Sequence, residues 1–293
     1  MTKNLFKLLR NYVYLLLIRL IKVPHTPKKY NATICAIFKN EGHYLQEWIE
    51  YHRIIGIEHF YLYNNFSSDN YLEILQPYID AGVVTLTDWP HERGQMPAYN
   101  HCLNTHKDDA SWIGFIDLDE FIVPNKFDNI HDWLAQHRHL PLALIYWKMF
   151  SSNGVIAEKN NSLVTETYIL SAPLNNVQKM FFNTDWFSFI KNFHIPHIAK
   201  LKYFGTFVPN YPLIYYRFCQ NKQEADIQLN HYYNKSYEYQ LRKKIPNGLA
   251  DKNGKRNMDI FFQHEKQCRW ADYNIFPYLI KLKLALSKDN KKD

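Results

Sequence analysis

Two periods of apolar and polar positions alternate along the first half of the chain. "TICAIF" (Thr33–Phe38) is a short apolar run bounded by polar residues and predicts a buried strand. "NEGHYLQEWIEYHRIIG" follows with Tyr44, Leu45, Trp48, Ile49 and His52 at helical spacing, and Gly56 is its natural stop. "EHFYLYN" predicts a second strand ending at Asn64. "SSDNYLEILQPYIDAG" predicts a second helix, with Ser67, Ser68 or Asp69 as cap and Gly82 as its end. A strand "VVTLT", a helix "MPAYNHCLNTH" with Pro97 in its first turn, and a strand "WIGFI" complete the series. Strands alternating with helices over residues 32–117 predict βαβ units, hence an α/β fold with a mostly parallel sheet.

In such sheets the ligand site lies beyond the carboxyl ends of the strands. That rule selects four polar loops, "KNEG", "NNFSSD", "DWPHERGQ" and "DLDE", and sets them along one edge. After Pro124 the pattern loosens. "HDWLAQH" predicts a short helix and "LALIYWKMF" a strand. Residues 151–235 are loop-rich with short aromatic strands such as "LIYYRF", an α+β half suited to a second substrate.

The ends differ from the body. In "KNLFKLLRNYVYLLLIRLIKV" (residues 3–23) Lys3, Lys7 and Arg10 share one helical face, and Leu5, Leu9, Val13, Leu16 and Leu20 occupy the opposite one. The uncharged run Asn11–Ile18 is far short of the ~20 apolar residues that span a bilayer. A helix lying in the membrane interface fits this pattern; a helix docked on the protein's own body is the alternative. Residues 1–29 are therefore expected to form a basic amphipathic segment and linker, 30–250 the main α/β domain, and 251–293 a helical, basic tail. A formal charge of +7 and a pI near 9.0 arise largely at these ends, which favours an anionic membrane surface over nucleic acid as partner. The four cysteines form no CxxC pair, so a zinc site is not expected.

The chemistry concentrates in "WIGFIDLDEFIVP", where Asp117, Asp119 and Glu120 interrupt an apolar run. Ionised carboxylates are costly in a core unless something pairs with them. Asp117 and Asp119 flank one residue, so in an extended loop both side chains reach the same ion. Carboxylate oxygens suit Mg²⁺ or Mn²⁺ bridging to phosphates. A solvated acidic turn is the plain alternative. A haloacid-dehalogenase-type phosphatase also carries D-x-D after an apolar strand. Its motif, however, sits on the first strand and needs a later acid pair, whereas Asp108–Asp109 comes earlier here.

With these residues in place the chain resembles glycosyltransferase family 92, within the family-2-like group that has the glycosyltransferase-A fold. The resemblance runs from about Thr33 to Gly248. Its motifs are "ICAIFKNEGHYLQEWIEYHRIIGIEHFYLYNNFSSDN", "QMPAYNHCL", "WIGFIDLDEF", "YWKMFSSNG" and "LNHYYNKSYEYQLRKKIPNG". Two departures bear on the acceptor side: "FSSNG" is less glycine-rich than expected, and Asn247 stands where many relatives carry Arg. The resemblance implies an inverting transfer of a hexose from a UDP-sugar to a glycan or glycolipid hydroxyl, with Mn²⁺ or Mg²⁺ on the diphosphate. By position, Lys39, Asn40, Glu41, Asn64, Asn65 and Asp69 would surround the uridine. Gln95 and Asn100 would approach the ribose or donor sugar. Asp119 would hold the metal, Asp117 the metal or ribose, and His231 would be a further ligand. Lys235 would lie near the diphosphate, with Lys243 and Lys244 closing over it. An inverting mechanism needs a carboxylate base on the acceptor; the candidates are Asp185 and Glu166, together with Glu158.

The expected role is synthesis of a surface polysaccharide or lipopolysaccharide at the cytoplasmic face of a bacterial inner membrane. A non-catalytic carbohydrate- or membrane-binding protein on the same fold and a metal-dependent phosphohydrolase are the alternatives.

Overall fold

The computed structural model describes residues 9, 13, 16, 20, 25–159, 161–175, 177–190, 199–201, 225–247 and 257–289. The expected strand "LIYYRF" lies outside them, as do Lys3, Lys7 and Arg10. The strands are β1 (Tyr30–Phe38), β2 (His59–Asn64), β3 (Val84–Asp88), β4 (Ala110–Phe115), β5 (Glu120–Pro124), β6 (Leu142–Met149), β7 (Leu170–Ser171), β8 (Gln178–Asn183), β9 (Phe187–Ile190), β10 (Ala199–Leu201), β11 (Ile227–His231) and β12 (Trp270–Ala271). Eight of them form one sheet in the order β3-β2-β1-β4-β8-β6-β11-β5. β1 pairs parallel with β2 and β4, β2 with β3, and β6 with β11, whereas β8 and β5 run against their neighbours. The α/β, Rossmann-like, mostly parallel sheet is therefore present. The second half is not a separate layer, because β6, β8 and β11 extend the sheet begun by the first half.

Both parities of the first strands are apolar, and the sheet is accordingly covered on both faces. Ile34, Ala36, Phe60 and Leu62 pack with Leu45, Trp48 and Ile49 of the helix Gly42–Ile54. Cys35, Tyr61, Tyr63, Ile113 and Phe115 pack with Tyr99, Cys102 and Leu103 of the helix Gln95–His106. The first helix stops where expected, with Gly56 at φ +102°. The second helix, Tyr71–Asp80, starts later than the sequence suggested, because Ser67, Ser68 and Asp69 are bound elsewhere.

The order of strands sets the site. β1, β2, β3, β4, β6 and β11 share one direction, so the loops after Phe38, Asn64, Asp88, Phe115, Met149 and His231 meet at one edge. A flat sheet would hold β4 and β5 roughly 19 Å apart, four strand spacings. The connection is too short for that, since it contains a turn in which Glu120 N–H donates to Asp117 O at 3.0 Å. The sheet curls, and His231 comes to lie opposite Glu120.

Candidate active site

The backbone marks this edge as special. Of six non-glycine residues with positive φ among the described residues, five lie in these loops: Asn40, Phe66, Arg93, Asn153 and Lys235. Such conformations cost roughly 1–2 kcal/mol each and cluster where structure over-determines them.

The acidic loop lies at the centre and divides its three carboxylates. Asp117 Oδ1 accepts from Gln95 Nε2 at 2.8 Å and from Tyr99 OH at 3.3 Å, and Oδ2 accepts from Lys179 Nζ at 2.9 Å. Glu120 has no exposed surface. Its Oε2 accepts from Asp117 N–H at 2.8 Å and lies 3.3 Å from Lys179 Nζ. Burial pushes the Glu120 carboxyl up, to about 8; Lys179 opposes this and Asp117 and Asp119 add to it. Burial works against the charge on Lys179 too, but Asp117 and Glu120 outweigh it and hold its pKa above the usual lysine value. Glu120 thus braces the loop from beneath.

Asp119 faces the other way. Its Oδ2 is ion-paired with Lys244, and its Oδ1 lies 3.4 Å from His231 Nε2. Burial opposes ionisation, but Lys244 and His231 prevail and hold the carboxyl well below its ordinary range. Burial lowers the His231 pKa, partly offset by Asp119, so the ring favours its neutral, ligating form. The ring packs on Trp147 at 4.3 Å, and its buried Nδ1 makes no hydrogen bond.

Lys235 is buried behind this pair. Its ammonium lies 3.3 Å from the Tyr44 ring centroid, 4.6 Å from that of Tyr239 and 3.8 Å from Glu41 Oε2, with no hydrogen-bond partner. Burial lowers its pKa to about 8 despite Glu41. Lys243 pairs with Glu41 at 2.9 Å and reaches Asn40 O. Lys243 and Lys244 end a short π-helical stretch, Gln240–Lys244, a distortion frequent at functional sites.

Asn40, Asn64, Asn65 and Asp69, also expected around the donor, hold the loops to one another. Asn64 donates to Asp88 at 2.9 Å and to Tyr71 at 3.0 Å, and accepts from Ser67 N–H at 3.0 Å. Asn65 donates to the carbonyls of Trp89 and His91 at 2.8 and 2.9 Å. Asn40 Oδ1 accepts from Ser68 N–H at 2.7 Å. Asp69 Oδ2 accepts from Gly42 N–H at 2.7 Å and so caps the first helix; a Cβ at Gly42 would come within 2.9 Å of that oxygen. Lys39 is exposed at the edge, and Asn100 donates back to Met96 O within its helix at 3.1 Å.

Two of the expected bases are not brought here. β8 runs antiparallel to β4 and carries the chain back to the amino-terminal edge, where Asn183 pairs with Trp112. Asp185 follows it and binds Lys28 at 3.0 Å and His25 at 3.2 Å, on the far side of the sheet. Glu166 sits on the short helix Val164–Thr167, half exposed, paired with Lys283 at 2.6 Å. Glu158 is beside the lysine cage instead: Tyr44 OH and Tyr168 OH both donate to it at 2.6 Å. Trp186, Phe150 and Tyr168 are core residues, buried where no sugar can stack on them.

Lys179, which pairs with Asp117 and Glu120, is not among the residues the sequence motifs single out. A single lysine inside the apolar run "VQKMFFN" was the available signal.

A family model for glycosyltransferase family 92 matches residues 28–259. A glycosyltransferase family 92 protein of Ricinus communis is 35% identical over 95 residues, covering 32% of this chain and 17% of that protein. Galactan beta-1,4-galactosyltransferase GALS2 of Arabidopsis thaliana is 36% identical over 93 residues, 28% of this chain and 18% of that one. The aligned stretches thus span less than a fifth of these relatives. Among solved structures, S. aureus TarS in complex with UDP is similar at a TM-score of 0.35 and 14% identity, over 53% of this chain and 47% of that one. The family match covers most of the chain, including every loop of the site edge, and the chain belongs to glycosyltransferase family 92.

Proposed function

We propose that this protein is an inverting, metal-dependent hexosyltransferase that uses a UDP-sugar and extends a glycan or glycolipid. The observation that carries this reading is the grouping of Asp119 and His231 with Lys235, Lys243 and Lys244 at one sheet edge. A carboxylate and a buried imidazole fit Mn²⁺, or Mg²⁺ less well, in a site completed by phosphate and water. Among the described residues no group of three or more candidate ligands is gathered, so the substrate would supply much of the coordination. When bound, the metal would neutralise charge on the departing diphosphate. Lys235, desolvated and without a hydrogen-bond partner, would add a cation at the same oxygens. Lys179, Gln95 and Tyr99 orient Asp117, and Glu120 fixes the loop backbone.

Glu158 is the acceptor base in this reading, because it alone of the three candidate carboxylates stands at the site edge, held there by Tyr44 and Tyr168, whereas Asp185 and Glu166 are paired elsewhere. Attachment to an anionic membrane surface is supported by Leu9, Val13, Leu16 and Leu20, at helical spacing and 62%, 49%, 58% and 75% exposed. No helix among the described residues is long and apolar enough to cross a membrane. Surface polysaccharide or lipopolysaccharide synthesis at a cytoplasmic membrane face is the setting we infer.

The test is UDP release from a panel of UDP-sugars with Mn²⁺. Turnover of at least one sugar that Asp119→Ala abolishes, with the melting transition retained, supports the reading. Absence of any nucleotide-sugar binding or turnover overturns it, and phosphate release without a nucleotide sugar would favour the phosphohydrolase.

A further inference from the structure

Phe66 stands at the site edge in a conformation that phenylalanine avoids. Its φ is +58°, in the left-handed region where a bulky side chain is a clear outlier. The residue is nevertheless 49% exposed, so burial does not compensate the strain.

The surroundings show what holds it. On one side Asn65 N–H donates to Phe38 O at 2.8 Å, and Asn65 Nδ2 grips the β3 loop at Trp89 O. On the other, Ser67 N–H donates to Asn64 Oδ1 at 3.0 Å, and Ser67 Oγ accepts from Asn40 N–H at 2.9 Å. The backbone on both sides is tied to the loops after β1 and β3, and the ring is left projecting. The Lys39 ammonium lies 5.9 Å from its centroid. The local backbone strain is thus over-determined by its hydrogen-bonded frame, and its product is a solvent-facing aromatic side chain on a fixed Cα.

We propose that Phe66 is the stacking platform for the nucleobase of the donor. The inference rests on the nucleotide-sugar reading above. β2 lies two strand spacings from β4, roughly 10 Å, with the β1 loop between them. A nucleoside diphosphate with its phosphates at Asp119 and the lysines would find this exposed ring if its base ran along the edge over the β1 loop. Stacking on an aromatic face is tolerant of base identity, so Phe66 supplies affinity, and a loop backbone held in advance loses little freedom on binding.

The experiment is calorimetry on the full chain with Mn²⁺, using UDP and inorganic pyrophosphate as separate ligands, for wild type, Phe66→Gly and Phe66→Trp. Phe66→Gly is expected to weaken UDP about 10-fold and to leave pyrophosphate unchanged. Its melting temperature should be equal to or above wild type, because glycine accepts the left-handed backbone. Phe66→Trp should keep UDP affinity. UDP affinity in Phe66→Gly within twofold of a UDP-binding wild type overturns the inference alone. So does an equal loss for both ligands, which would mean a damaged loop. A wild type that binds no UDP overturns the donor reading and this inference with it.

Discussion

Lys179 Nζ lies 2.9 Å from Asp117 Oδ2 and 3.3 Å from Glu120 Oε2, and its side chain has no exposed surface. The cation that accompanies these two acids is therefore part of the chain. Removing one partner of a buried ion pair leaves uncompensated charge and costs about 3–5 kcal/mol. Lys179→Met should destabilise the fold by that order in urea denaturation. Glu120→Gln in the same background should recover part of the loss, because a buried carboxyl that burial pushes up to about 8 no longer has to be held protonated in the fold. A Lys179→Met variant within 1 kcal/mol of wild type would show that the loop does not depend on this pair.

Lys244 occupies Asp119 in the same way, and there the consequence is competition. A divalent ion on Asp119 and His231 must displace the ammonium that now pairs with Asp119 Oδ2. Lys244→Met should bind Mn²⁺ alone at least about 10-fold more tightly than wild type, an energy of about 1.4 kcal/mol, as read by the paramagnetic signal of free Mn²⁺. His231→Ala should weaken Mn²⁺ binding. Equal affinities across all three proteins would remove both residues from the metal's surroundings.

Lys235 links stability and binding with opposite signs. Burial lowers its pKa from 10.5 to about 8 in the fold. Between those values the unfolded chain holds the proton and the native protein does not, so this group's contribution to stability rises with pH from about 8 to 10.5. Its positive charge in the free protein disappears over the lower part of that window. UDP affinity should therefore fall as pH rises through 8, while Lys235→Met shows a weaker but flatter profile. A wild-type profile as flat as the variant's would mean that Lys235 stays charged or does not meet the diphosphate.

The sheet and its site edge were legible because period and parity are local properties. Apolar residues at both parities of β1 and β2 imply helices on both faces, and the loops that hold Asn64, Asp117 and Glu41 follow from strand direction alone. Partners across the sheet were not legible, since they depend on the register of later strands. β8 pairs Met180 with Phe115, which puts Lys179 one step past the end of β4, beneath the acidic loop. The same antiparallel direction takes Asp185 to the opposite edge, a fact its own neighbours in sequence do not contain. "DLDE" looked like three acids awaiting one ion. Two lysines, 62 and 125 residues away in sequence, divide them.

His52 couples the first helix to the strand that leaves the acidic loop. Its Nδ1–H donates to Trp48 O at 2.8 Å, and its Nε2 accepts from Ile122 N–H at 3.3 Å. Both nitrogens are used only by the neutral ring, and burial lowers the pKa from 6.5 to about 3 despite the Trp48 bond. Between these values the unfolded chain binds a proton that the fold excludes, so stability falls as pH drops from 6.5 toward 3. Each unit in that window removes about 1.4 kcal/mol. His52→Gln retains a donor and an acceptor without a titrating ring. It should start less stable at pH 7 and lose less stability between pH 6.5 and pH 4 in parallel urea melts. If the two proteins lose stability in parallel over that range, His52 does not carry the acid sensitivity.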